Sequence, residues 1–174
     1  ESGQESGQIH MGVNDSRGFL TSRVFVSFVN EGIAMVGEGI HPSSIENAGV
    51  LAGMPVGPLA ISDEVSMTLM QHIRDQSKKD TEAAGQTWNA HPAEAVIDQM
   101  VGSHDRKGKA AGAGFYEYPQ SGKKHLWPEL DTLFVDREKA RNTDLQELKD
   151  RILFIQAIET VRCLEEGVLR TVED

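Results

Sequence analysis

A chain of 174 residues with a formal net charge of -10 and a pI near 5.0 holds one domain, or one domain and part of a second. The acidic balance excludes a nucleic-acid backbone as partner, because such binders gather Lys and Arg on one face, and it disfavours an anionic membrane surface. With no apolar run expected to reach the roughly 20 residues that span a bilayer, no membrane insertion is expected. The composition, 39% hydrophobic and 25% charged, is that of a globular protein with a core that needs no cross-links.

Residues 1–11 repeat Glu-Ser-Gly-Gln and end in Ile9-His10-Met11, a polar leader that cannot pack and reads like a vector junction. The polar turn from Val13 to Gly18 opens into an apolar helix over Phe19–Val36, which Gly37, Gly39 and Pro42 stop. Its apolar positions surround the helix, so burial on more than one side is expected. Ser43 and Glu46 form a capping box for a short helix to Ala52. The turn Gly53–Pro58 places Pro58 at the first position of a helix to about Lys78, with Leu59, Ile61, Val65, Leu69 and Ile73 inward.

Residues 79–91 read as a loop. Pro92 opens a helix to about Val101, with Val96, Ile97 and Met100 inward. The glycine-rich stretch from Gly102 ends in Gly112-Ala113-Gly114-Phe115-Tyr116-Glu117-Tyr118, a short extended segment that packs an aromatic on the helices. Residues 119–142 form a linker with one helical turn around 128–133. A second capping box, Thr143 to Gln146, starts a helix to Glu166, with Leu145, Leu148, Ile152, Ile155, Ile158, Val161 and Leu164 inward and Gly167 as its stop. Cys163, the lone cysteine, lies in this run as a small buried hydrophobe, which fits a reducing, cytoplasmic setting. No strand–helix–strand alternation exists, so the fold class is all-α.

Several chemistries are missing. Gly112-Ala113-Gly114 lacks the third glycine of a dinucleotide loop, and Gly102 to Lys109 has the wrong spacing and no Ser or Thr for a phosphate loop. The six histidines lack metal-ligand spacing, so no metal site is expected; His41 and His91 each precede a proline, as helix-entry residues do. Neither a nucleophile elbow nor a cysteine–histidine pair is present. Glu165 and Glu166 read as a solvated rim. Asn14 stands apart, because an amide donates and accepts at once and can hold a substrate oxygen while orienting a catalytic imidazole; taken alone, the cluster Asn14-Asp15-Ser16 reads more often as a helix cap.

Three blocks together resemble the C-terminal domain of the L-3-hydroxyacyl-CoA dehydrogenases, particularly the multifunctional fatty-acid oxidation proteins. They are Val13–Phe19 with Arg23, Met54–Pro58 with Asp63, and Gly112–Tyr118, in matching order across residues 13–118. Residues 144–174, with Arg151-Ile152-Leu153-Phe154 and Glu165-Glu166-Gly167, resemble the start of a second helical repeat carried by multifunctional members. The resemblance implies a helical domain of the 3-hydroxyacyl-CoA dehydrogenase or 6-phosphogluconate dehydrogenase C-terminal type over 12–118, a linker over 119–142 and a truncated second repeat over 143–174.

It further implies an NAD-dependent oxidation of 3-hydroxyacyl-CoA to 3-ketoacyl-CoA in fatty-acid β-oxidation. The nucleotide loop and a histidine–glutamate pair would be supplied by an N-terminal NAD-binding domain, so this stretch alone is expected to be inactive. Asn14 takes the place of the asparagine that bonds the reacting oxygen. Ser16, Phe19 and the turn Pro55-Val56-Gly57-Pro58 would contact the acyl substrate. The family's phosphate-contacting basic residue falls at Ala110, which leaves Lys109 beside it as the candidate cofactor contact, and NAD is expected to be held mainly by the other domain. Arg17 stands where many relatives have proline or a small residue. Two other readings are open: a non-catalytic helical association module that self-associates through the Phe19–Val36 and Asp144–Glu166 helices, and a related short-chain 3-hydroxybutyryl-CoA dehydrogenase domain.

Overall fold

A computed structural model describes residues 13–15 and 18–171; the polar leader over 1–11 lies outside them. Eight α-helices are present among the described residues: α1 (Phe19–Gly37), α2 (Pro42–Leu51), α3 (Pro58–Val65), α4 (Met67–Ala83), α5 (Ala93–Asp98), α6 (Leu130–Leu133), α7 (Arg137–Asn142) and α8 (Leu145–Glu165). A π-turn, Gln99–Ser103, extends α5, and two short strands, β1 (Tyr116–Glu117) and β2 (His125–Leu126), pair antiparallel. The all-α reading holds, since this ribbon is the only sheet among the described residues.

Helix α1 is the axis of the fold and packs against α2, α3, α5 and α8. Its second half is buried on every side from Gly32 through Val36, with Phe28 and Val29 buried one turn earlier. By length and composition it is long and apolar enough to cross a membrane, which corrects the expectation that no run is; yet 44% of its most apolar window is buried inside the fold, and Arg23 and Glu31 on it are ion-paired to α8. These are the marks of a core helix. Close approach along it requires Gly32, where an added Cβ would lie 2.4 Å from the ring of Pro58.

Several boundaries differ from expectation, each for a local reason. Ser43 does not cap α2: His41 does, its Nδ1 accepting from the Ser43 amide at 3.2 Å, while Glu46 turns away to serve α3. The expected helix from Pro58 to Lys78 is two helices broken at Ser66, a non-glycine residue with φ 83°. The Met67 amide leaves the helical ladder there and donates to Lys107 O at 2.9 Å. Helix α4 then runs on to Ala83, into the segment expected to be loop. Asp144, not Thr143, caps α8 by accepting from the Gln146 amide at 2.8 Å.

The expected linker holds β2, α6 and α7, and it contributes to the main core through Trp127 and Leu130. On α8 only Leu148, Ile152 and Cys163 are buried; Leu145, Ile158 and Val161, expected inward, are exposed. Gly167 ends α8 as expected, with φ 71°.

Candidate functional site

Beyond Gly167 the chain turns back. The Val168 amide bonds Cys163 O at 2.8 Å, and the chain then runs antiparallel beside Val13, bridging it at Leu169. Leu20, Cys163, Val168 and Leu169 form a small apolar cluster of their own, with Val13, Val24 and Leu164 packed around it. Burial in this cluster raises the Cys163 thiol, which suits a packing role. Arg23 ties the foot of α1 to the end of α8 through Glu159 Oε1 at 2.7 Å and Glu166 Oε2 at 2.5 Å. Glu165 and Glu166 are exposed, as a solvated rim is, but Glu166 is also an ion-pair partner, and the Arg23 guanidinium holds its carboxyl below the ordinary range.

Asn14 sits on this platform, exposed. Its backbone amide donates to Val168 O at 2.8 Å, its Nδ2 donates to Gly167 O at 2.8 Å, and its Oδ1 accepts from Arg170 Nε at 3.2 Å. An amide side chain has two N–H groups and two oxygen lone pairs, so one of each has no partner among the described residues. The side chain is thus oriented from one side and free on the other. Nothing in its bonding caps α1: the N-cap is Gly18, with no side-chain cap bond. Gly18 and Phe19 both have positive φ, 79° and 47°, an entry that leaves the Phe19 ring 48% exposed beside the same end of the helix. Ser16 lies outside the described residues.

The other expected substrate contacts are elsewhere. Pro55 is exposed and Val56 half-buried, whereas Gly57 and Pro58 are buried, pressed on Glu46 and on Gly32 and Gly49. Gly32 lies thirteen residues beyond Phe19 along α1, about 20 Å at the helical rise. The fold does not bring this turn to Asn14. Lys109 is exposed and paired with Glu64 Oε1 at 2.7 Å. The glycine-rich segment is packed on Asp63, where a Cβ at Gly114 would lie 2.0 Å from Oδ1. Neither of these two features leaves a cradle for a dinucleotide phosphate. Among the described residues no group of three or more His, Cys, Asp or Glu could hold a metal ion.

What the second and third sequence blocks build is a buried polar clasp. Asp63, fully buried, accepts from the Phe115 amide at 2.8 Å, the Tyr116 amide at 2.9 Å and the Tyr118 hydroxyl at 2.9 Å. Glu46 accepts from the Leu59 amide at 2.7 Å, at the start of α3, and from the Tyr116 hydroxyl at 2.6 Å. Burial pushes both carboxyls above their ordinary range, outweighing these donors. Burial and the facing carboxylates likewise raise both tyrosine hydroxyls.

Arg106 completes the clasp. It donates to Gly114 O at 2.6 Å and Tyr116 O at 3.0 Å, pairs with Glu117 at 2.9 Å and lies 4.1 Å over the Trp127 ring. The sequence reading missed Glu46 and Arg106; their signal was a capping motif and a charge in a glycine-rich stretch, both with commoner explanations. Residues 18–118 match the family model of the 3-hydroxyacyl-CoA dehydrogenase C-terminal domain.

Proposed function

The chain belongs to the 3-hydroxyacyl-CoA dehydrogenase C-terminal domain family, and on that premise we propose that it is the substrate-side half of an NAD-dependent L-3-hydroxyacyl-CoA dehydrogenase of fatty-acid β-oxidation. The observation that carries this reading is the exposed Asn14 amide, held by Gly167 and Arg170 with one N–H and one oxygen lone pair left over. In the proposal the free N–H donates to the substrate's 3-oxygen, and the free lone pair accepts from a catalytic imidazole on an NAD-binding domain. A donor already oriented before substrate arrives has no reorganisation to undergo as charge develops on that oxygen. Phe19, at the start of α1, offers an exposed apolar face. Hydride acceptance and proton removal belong to the other domain, so no part of them is assigned to residues here. A cytoplasmic setting goes with this reading, supported by the free, buried Cys163.

Two measurements test it. The 174-residue chain alone should not oxidise 3-hydroxybutyryl-CoA with NAD, and enzyme-like turnover would sink the proposal. In an enzyme that includes the NAD-binding domain, Asn14→Ala should lower kcat about 30-fold, roughly 2 kcal/mol in the barrier.

A second reading rests on a different observation. The outward strip of α8 leaves Leu153, Phe154, Ile158 and Val161 between 41% and 62% exposed, more apolar surface than a solvated helix needs. In this reading the domain is an association module that self-associates through α8. Light scattering of the chain at high micromolar concentration distinguishes the two: a clean monomer removes the association module.

A further inference from the structure

The side chain of Asn14 is held by two partners that cannot exchange roles. Gly167 O accepts from Nδ2 at 2.8 Å, and Arg170 Nε donates to Oδ1 at 3.2 Å. A carbonyl oxygen only accepts and a guanidinium only donates. Turning the amide end for end would set oxygen against oxygen and N–H against N–H. The two partners together therefore fix which end of the amide faces which way. Asn14 and both partners lie outside residues 18–118, the stretch that matches the family model, so the contacts that aim the amide are an addition to that stretch.

The seam between the two segments does not need the Arg170 side chain. The Asn14 backbone amide bonds Val168 O, Val13 bridges Leu169, and Val168 and Leu169 are buried with Leu20 and Cys163. Asn14 and Arg170 are exposed, where one side-chain bond adds little to stability. The choice of partner is also out of keeping with the rest of the chain. Under a net charge of -10, Arg23, Arg74, Arg106 and Arg151 all hold carboxylates. Arg170 places its Nε on a neutral amide and has no carboxylate partner among the described residues.

We propose that Arg170 is a positioning residue for Asn14. Its guanidinium holds Oδ1 so that the unpartnered N–H stays directed away from the seam. As a charged donor on that oxygen it also draws electron density through the amide, which makes the N–H a stronger donor. Its positive charge lies one hydrogen bond from the amide that meets the developing negative charge, and at an exposed position that attraction is modest. Arg170 touches no reacting atom and acts through Asn14. Its effect on rate rests on the dehydrogenase reading; the orientation of the amide does not.

The first measurement is nitrogen NMR of the isotopically labelled 174-residue chain. The Asn14 side chain gives a pair of proton resonances on one nitrogen, recognised by their loss in Asn14→Ala. Arg170→Met keeps an unbranched stem and removes the charge and the donor. It should move that pair toward the positions of a solvated amide, with the melting temperature held within about 2 °C. Arg170→Lys keeps the charge and should move it less.

The second measurement uses an enzyme that includes the NAD-binding domain. There Arg170→Met should lower kcat about fivefold with KM held within about twofold, and Arg170→Lys should recover most of the loss. Because Arg170 acts through the amide, Asn14→Ala combined with Arg170→Met should be no slower than Asn14→Ala alone. Asn14 resonances unmoved in Arg170→Met overturn the inference. So does an unchanged kcat in that variant while Asn14→Ala is slow, or losses that add in the double variant. An unchanged kcat in Asn14→Ala removes the dehydrogenase reading, and the role of Arg170 falls with it.

Discussion

The clasp around Asp63 and the platform under Asn14 are built from the same materials, a polar side chain bonded to backbone groups of a distant segment, yet they differ in completeness. Asp63 is fully buried and engaged by three donors, so its carboxyl is closed off from solvent. Asn14 is exposed and half engaged. The residue with unused bonding capacity facing solvent has room for a ligand group, and the buried one ties distant segments together. Both lie in the sequence blocks that carry the family resemblance, so a recognisable motif is not by itself a functional surface.

That contrast breaks most readily at Asp63. Asp63→Ala leaves two amides and a hydroxyl without an acceptor, and the variant should lose about 4 kcal/mol, or roughly 10 °C or more in melting temperature, measured by thermal denaturation. A loss under 1 kcal/mol would show the clasp to be incidental. Asn14→Ala should do the reverse, changing the melting temperature by no more than about 2 °C while costing the roughly 2 kcal/mol in barrier given above. Arg23→Met removes the ties to Glu159 and Glu166 and should cost about 1 kcal/mol, less at high salt; an effect as large as that of Asp63 would merge the two regions into one unit.

The smallest effect is a trend with pH. The folded-state pKa of Asp63 is raised, so the folded chain binds the proton more tightly than the unfolded chain. Its contribution is fully present below the ordinary Asp value and is lost as pH rises through the folded value. The stability gap between the wild type and Asp63→Asn should therefore widen as pH falls from neutrality toward 4, seen in paired melting curves. A gap that narrows would place the ionised form, not the protonated one, as the favoured state.

The core was legible where local signals and tertiary packing agree. Helix α1 begins and ends within a residue of expectation, because Gly18 opens it and Gly37 and Gly39 close it. The buried positions of α5 and the burial of Phe115 and Cys163 follow from the same agreement. The break at Ser66 was not legible: apolar spacing continues through it, and the cause is a bond from Met67 to Lys107, forty residues away in sequence. The misplaced caps have a similar origin. Glu46 has the right spacing for a capping box but finds stronger use at the start of α3, and Asp144 outcompetes the neighbouring Thr143. On α8, apolar residues occupy more than one face, so periodicity alone did not say which would be covered. For the candidate site, the sequence picked out Asn14 and placed Phe19 beside it, but it grouped Pro55–Pro58 with them although the middle of α1 lies between.

The bridge between Val13 and Leu169 has a mechanical consequence. Whatever is joined upstream of residue 13 and whatever is joined downstream of residue 171 must attach at the same edge of the bundle, a few ångströms from Asn14. Tension applied to either attachment pulls first on one short ladder contact and on the two bonds that aim the amide. Loosening that seam would swing the amide away while the bundle beneath it stayed folded.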